Sequence, residues 1–200
     1  MKFHLDLKYH THINLKNKKM KTLKNLALSG TMLMTALLFS SNVSAQEQKT
    51  PQLNDSEIAS VAVTANQVDV GYAEIALKKS QNKDIKNFAT TMKADHNAII
   101  KMAVDLVTKL KVTPQTNEVS KSLLAGAVKE EALLNAKSGS AFDKAYVDNE
   151  VAYHIYAINA VENMLIPQSK NAELKALLQK ALPIFKTHLE HAKMIQKKFK

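Results

Sequence analysis

The 200-residue sequence has no cysteine, no tryptophan and no arginine, and only four glycines and four prolines. Without cysteine there is no disulfide, thiolate zinc site, iron–sulfur cluster, thiol nucleophile or lipoprotein cleavage site. The shortage of glycine and proline speaks against a turn-rich β-sandwich and for long helices. All 28 basic residues are lysine, against 18 acidic residues, for a net charge of +10. Phosphate and base-edge recognition leans on the planar guanidinium fork that this chain lacks, and no aromatic-studded basic stripe offers stacking platforms. Nucleic acid is therefore not expected as a partner. Apolar residues make up 46% of the chain, which excludes wholesale disorder. Neither a glycine-rich phosphate loop nor a Gly-x-Ser-x-Gly elbow occurs.

What is present begins with an uncharged run, LALSGTMLMTALLF, at 26–39. Lys21 and Lys24 precede it and Val43-Ser44-Ala45 follows it. A basic start, a short apolar middle and a small-residue exit predict a secretory signal peptide cleaved after Ala45; the run is too short for a comfortable membrane span. Residues 1–19 fit no element, and translation is expected to start at Met20. The expected domains are therefore an N-terminal extension with signal peptide at 1–45, a polar tail at 46–53 and a helical domain at 54–200. Seven lysines and one aspartate fall within 1–45, so most of the excess charge belongs to the segment that export removes. The predicted location is the periplasm or the exterior, with no transmembrane anchor after cleavage.

Helical periodicity dominates the rest. Helix A is expected at 54–80, opened by an Asn54–Glu57 capping box, with Ile58, Ala62, Ala65, Asp69, Tyr72 and Ala76 facing inward. Helix B, 83–111, turns Ile85, Phe88, Met92, His96, Ile99, Ala103, Leu106 and Leu110 inward and ends at Thr113-Pro114. A shorter helix at 117–137 stops at Ser138-Gly139-Ser140. Helix D, 140–166, starts at a box-like Ser140–Asp143 pair, buries Phe142, Tyr146, Val147, His154, Ile158, Val161 and Leu165, and is closed by Pro167. Helix E, 171–199, buries Leu174, Leu178, Ala181, Phe185, His188, Ala192, Ile195 and Phe199, with Pro183 predicting a kink one turn before His188. Four long amphipathic helices, with the short one returning the chain between B and D, predict an all-α antiparallel four-helix bundle with one crossover, the connectivity of ferritin-like folds.

The ionisable residues on these stripes fall at similar heights. At 1.5 Å per residue, Asp69, His96, His154 and His188 lie about 22, about 20, about 19 and about 26 Å from the same end of the bundle. Glu150, one turn before His154, shares its face. Imidazoles and carboxylates converging between bundle helices suit zinc, iron or copper, so His96, His154, His188, Asp69 and Glu150 are the candidate metal ligands. The competing expectation is a metal-free polar layer in which Asp69, Asp95 or Glu150 holds each histidine and the layer selects the fold. No Glu-x-x-His occurs, which disfavours a di-iron centre and ferroxidase chemistry. His191 is expected at the rim. Met92, Met102 and Met194 are expected as packing residues rather than copper ligands.

Three stretches, NQVDVGYAEIALKKSQNKDIKNFATTMKADH, AFDKAYVDNEVAYH and ALPIFKTHLEHA, carry a resemblance that extends over nearly all of 53–196. They contain Asp69, Asp95-His96, Phe142-Asp143 and Tyr146 with His154, and Leu182-Pro183 with His188. On these the chain resembles an uncharacterised family of exported bacterial ferritin-like proteins, a domain of unknown function whose members are often labelled outer-membrane proteins. The resemblance implies a ferritin-like bundle in the cell envelope and implies no activity. The leading expectation is an exported bundle that binds a metal ion in an envelope or stress role, without being an enzyme. Its rivals are a metal-free structural or interaction module with an envelope protein partner and a metal-dependent redox enzyme. The sequence leaves the oligomeric state open.

Overall fold

The computed structural model describes residues 50–199. The expected signal peptide, its cleavage site and the Met20 start lie outside the described residues. Five helices account for nearly all of what is described, and no strand occurs among the described residues. They are α1 (Asp55–Lys79), α2 (Lys83–Lys109), α3 (Glu118–Asn135), α4 (Gly139–Ala160) and α5 (Ala172–Gln196). None is long and apolar enough to cross a membrane.

Asparagine side chains open four of the five helices, each accepting from the first orphan amides of its helix. At α1 the expected capping box is complete: Glu57 N–H donates to Asn54 Oδ1 at 3.0 Å and Asn54 N–H donates to Glu57 Oε2 at 2.9 Å. The exception is α4. Its cap is Ser138, whose side chain makes no capping bond, and the expected Ser140–Asp143 box does not form. Asp143 is instead buried, with Oδ1 unpartnered.

Two helix ends also differ from expectation. Thr113-Pro114 does not end α2. The chain leaves the helix earlier, where Lys111 takes a positive φ of 55°. Lys111 N–H then bonds the Thr108 carbonyl and Val112 N–H the Val107 carbonyl, a Schellman turn built without glycine. At the far end of α4 the helix does not run regularly to Pro167. Val161–Leu165 form a π-turn, in which Ile166 N–H reaches back to Val161, and Ile166–Gln168 add a last α-turn that contains Pro167.

α1 packs along α2 and α4 along α5, while α2–α5 and α1–α4 contacts complete a helical bundle and α3 lies mainly against α1. The core divides into two apolar clusters. One gathers Tyr72, Phe88, Met92, Phe142, Tyr146 and Ile195; the other gathers Ile58, Ile99, Val161, Leu178 and Phe185. On each long helix the buried ionisable residue falls where one cluster gives way to the other.

One polar clamp joins chain segments far apart in sequence. The Asp55 carboxylate accepts from Lys170 N–H at 2.9 Å, from Asn171 N–H at 3.0 Å and from Ser169 Oγ at 3.3 Å, so it ties the start of α1 to the start of α5. Removing it leaves those amides without an ionised acceptor. Asp55→Ala is expected to lower unfolding stability by about 2 kcal/mol, within the range for hydrogen bonds to charged groups. Urea denaturation checks this; a loss too small to measure would show that water replaces the clamp at no penalty.

Candidate functional site

The boundary between the two apolar clusters is a layer of buried ionisable side chains: Asp69 from α1, His96 from α2, Glu150 and His154 from α4 and His188 from α5. None is more than 3% exposed. The α-helical repeat explains their convergence, since Glu150 and His154 are one turn apart and the others continue the stripes that build the core. The ring centroids of His96, His154 and His188 lie 5.2–5.6 Å from one another. Phe185 stacks on His96 at 5.4 Å, with the planes 12° apart.

Each imidazole is held by one nitrogen. His96 Nδ1 lies 2.7 Å from Asn66 Oδ1, His154 Nδ1 lies 3.0 Å from the Glu150 carbonyl, and His188 Nε2 lies 2.9 Å from Asp95 Oδ2. Those partners are acceptors, so each held nitrogen carries the proton. The lone pair is left on His96 Nε2, His154 Nε2 and His188 Nδ1. All three of these nitrogens are buried without a hydrogen-bond partner. Both oxygens of Asp69 and both of Glu150 are in the same condition. Asp69 Oδ1 faces His96 Nε2 across 3.4 Å and Asp69 Oδ2 faces His154 Nε2 across 3.8 Å. Lone pair therefore faces lone pair, an arrangement that needs a proton or a cation between the groups.

The ionisation of the groups follows from burial. It pushes the Asp69 carboxyl up to about 8. Burial, and then the neighbouring Asp69 charge, push Glu150 well above the usual carboxylate range. His96 is driven well below the usual imidazole range by burial and then by His154 and His188. Burial lowers His154 to about 4, against the opposing effect of its backbone hydrogen bond. His188 is also lowered by burial, although Asp95 pulls it the other way. At neutral pH the rings are neutral, and the Asp69 carboxyl holds a proton that a facing imidazole nitrogen can accept.

All five expected residues thus meet in one place. His96, His154 and His188 present ligand atoms within 4.8 Å of one another, and Asp69, Glu150 and His154 do the same. His191 lies outside this cluster, half-buried, with its ring edge-on to Phe88 at 5.1 Å. Sequence reasoning missed Asn66, whose Nδ2 donates to the Ala62 carbonyl at 2.7 Å and so aims its oxygen at His96. Its position three residues before Asp69 on one face was the available signal. Asp95 reaches His188 rather than its neighbour His96, while remaining partly exposed.

Residues 40–195 match the family described as "Domain of unknown function (DUF4142)", and the chain belongs to that family. No curated protein matches it in sequence. Among solved structures it is similar to one titled "CopM in the Cu(II)-bound form", with a TM-score of 0.57 and 14% sequence identity, over 75% of this chain and 100% of that one. At that identity the likeness speaks to the fold.

The displaced ionisations have opposite effects on stability. Asp69 binds its proton more tightly when folded, so its contribution is full below its ordinary value of 3.8 and is lost as pH rises towards about 8. His154 is depressed, so its contribution is full above 6.5 and is lost as pH falls towards about 4. In chelator-treated protein, Asp69→Asn is expected to gain stability relative to the parent as pH rises between those carboxyl values. Urea denaturation at a series of pH values checks this; a difference that stays constant with pH would contradict it.

Proposed function

We propose, with membership of that family as premise, that this chain is an exported, ferritin-like four-helix bundle with α3 as its crossover helix, and that it holds one d-block metal ion in its core. His96 Nε2, His154 Nε2 and His188 Nδ1 supply three neutral nitrogen donors and Asp69 a carboxylate, with Glu150 at the edge of the site. The observation that carries this reading is the set of three unpartnered imidazole nitrogens in one layer, two of them turned towards the Asp69 carboxyl, which also lacks partners. Copper(II) is the first choice and zinc(II) the second. Three imidazoles and a carboxylate suit both, and affinity for such donors rises to copper in the divalent series. The copper-bound title of the similar structure supports that order. Iron ranks third, because the chain offers no Glu-x-x-His pair.

Second partners support the proposed ligands. Asn66 and Asp95 fix the tautomers that leave the donor nitrogens free, as outer partners do for metal-bound histidine. The role is that of a binding protein in the periplasm or outside the cell. The leader expected at 20–45 supports that location.

A second reading, a metal-free structural or interaction module, draws on the same contacts. Asn66, Asp95 and the Glu150 carbonyl already hold each ring, as a layer that sets helix register would require. Metal content separates the two. Protein purified from its native envelope is expected to hold one copper or zinc per chain, and the His96→Ala/His154→Ala variant none. Asn66→Ala and Asp95→Ala are each expected to weaken copper(II) affinity about 10- to 100-fold without abolishing it. Copper-loaded protein is expected to show no oxidase or peroxidase turnover. Absence of stoichiometric metal from the parent, together with no copper(II) or zinc(II) binding by calorimetry, would leave the metal-free reading.

A further inference from the structure

Beside His96 the bundle leaves a partly open pocket with a cavity of about 40 Å³. Its walls come from all five helices and the π-turn: Ala62 and Ala65 on α1, Ala157 and Ala160 on α4, Met164 in the π-turn and Ala181 on α5 are among them. Small side chains thus leave the space that larger ones fill elsewhere in the core. The π-turn adds one residue to the α4 rod where the cavity lies and brings Val161, Met164 and Leu165 into its wall. Such turns are frequent at functional sites.

Two of the polar side chains that line it are already engaged. Tyr153 Oη donates to the Ala65 carbonyl at 2.7 Å. Asn66 Nδ2 donates to the Ala62 carbonyl, and Asn66 Oδ1 accepts from His96. A buried water needs two to four polar partners, and an almost wholly apolar lining offers few. The volume is nevertheless several times the roughly 10–15 Å³ that one water requires. Space for a guest with few partners for water favours an apolar guest. Tyr156, 54% exposed, also lines the cavity and brings it close to solvent. At the inner end, Phe185 and His96 stand between the cavity and the histidine layer.

We propose that this cavity is a binding site for a small apolar molecule of the size of dioxygen or a xenon atom, one imidazole away from the histidine layer. Occupancy follows from shape and an apolar lining, so it does not depend on metal; only the significance of its position rests on the metal-binding reading. The test is a xenon titration of the purified, chelator-treated protein, followed by methyl NMR. Saturable shifts are expected at Ala62, Ala160, Leu178 and Ala181, with none at the opposite core cluster around Met92. Dissolved dioxygen is expected to broaden the same methyls. Ala160→Leu and Ala181→Leu, which fill the space from α4 and from α5, are expected to remove the xenon shifts while leaving the copper(II) titration unchanged. Loss of metal binding with xenon binding intact would overturn the metal reading alone. Absence of a saturable shift in the parent protein, or shifts that persist in a folded filled variant, would overturn this one.

Discussion

The constraint on which the structure depends is the meeting of unprotonated imidazole nitrogens with an unpartnered carboxylate in the middle of an apolar core. Asp69 faces His96 and His154 at 3.4 and 3.8 Å, so a proton or a cation must lie between them. Buried polar atoms without partners are expensive, on the order of 1–3 kcal/mol each. A layer that collects seven such atoms on five side chains must be imposed by the packing around it. The two apolar clusters provide that packing. One grips the four long helices on one side of the layer and the second grips them on the other, so the rings cannot turn away to find better partners.

The rings are held as much by hydrogen bonds as by packing. In each histidine one nitrogen is anchored to an acceptor on a different footing: a neighbouring helix's amide for His96, its own helix's carbonyl for His154 and a partly exposed carboxylate for His188. The anchors differ in chemistry yet have one consequence, which is a fixed tautomer with its lone pair turned inward. Phe185 adds a flat apolar face to His96 and restricts that ring further. Preorganisation of this kind lowers the reorganisation that ligand capture would require. Burial drives the carboxyls and imidazoles towards their neutral forms together, and Asp95 opposes this at His188.

Periodicity made the helices and the layer readable from sequence because both depend on the same 3.6-residue repeat. On the core stripes His96 falls between Met92 and Ile99, His154 between Val147 and Ile158, His188 between Phe185 and Ala192, and Asp69 between Ala62 and Tyr72. Where the structure departed from expectation, the determining contact was not periodic. Asn66 reads as an ordinary polar helix residue until the Ala62 carbonyl fixes its amide. Asp95 points to His188 because the spacing of α2 and α5 permits it, and the i, i+1 relation to His96 says nothing of that. Lys111 ends α2 with a positive φ that a lysine gives no sign of adopting. The π-turn at Val161–Leu165 contains neither proline nor glycine and carries no sequence signature. Ser140 and Asp143 had the spacing of a cap, but the helix begins at Gly139, whose φ of 56° takes the chain through a region that glycine adopts without strain.

The absence of cysteine acquires meaning in this setting. With thiolates excluded, the donors are imidazole and carboxylate, and the methionines do not extend the set: Met92 is buried within one apolar cluster, Met102 packs against the other and Met194 is exposed. A core built for stability alone gains nothing from this layer, since well-packed apolar residues of similar volume commonly equal or exceed a buried ionic group in stability. A purely structural layer would also be expected to pair its groups completely, because a half-satisfied network is worse than an apolar one. Here satisfaction stops at one nitrogen per ring and reaches neither carboxylate fully. The unpaired half of the layer is what the proposed ion would fill, and the paired half would hold its ligands still.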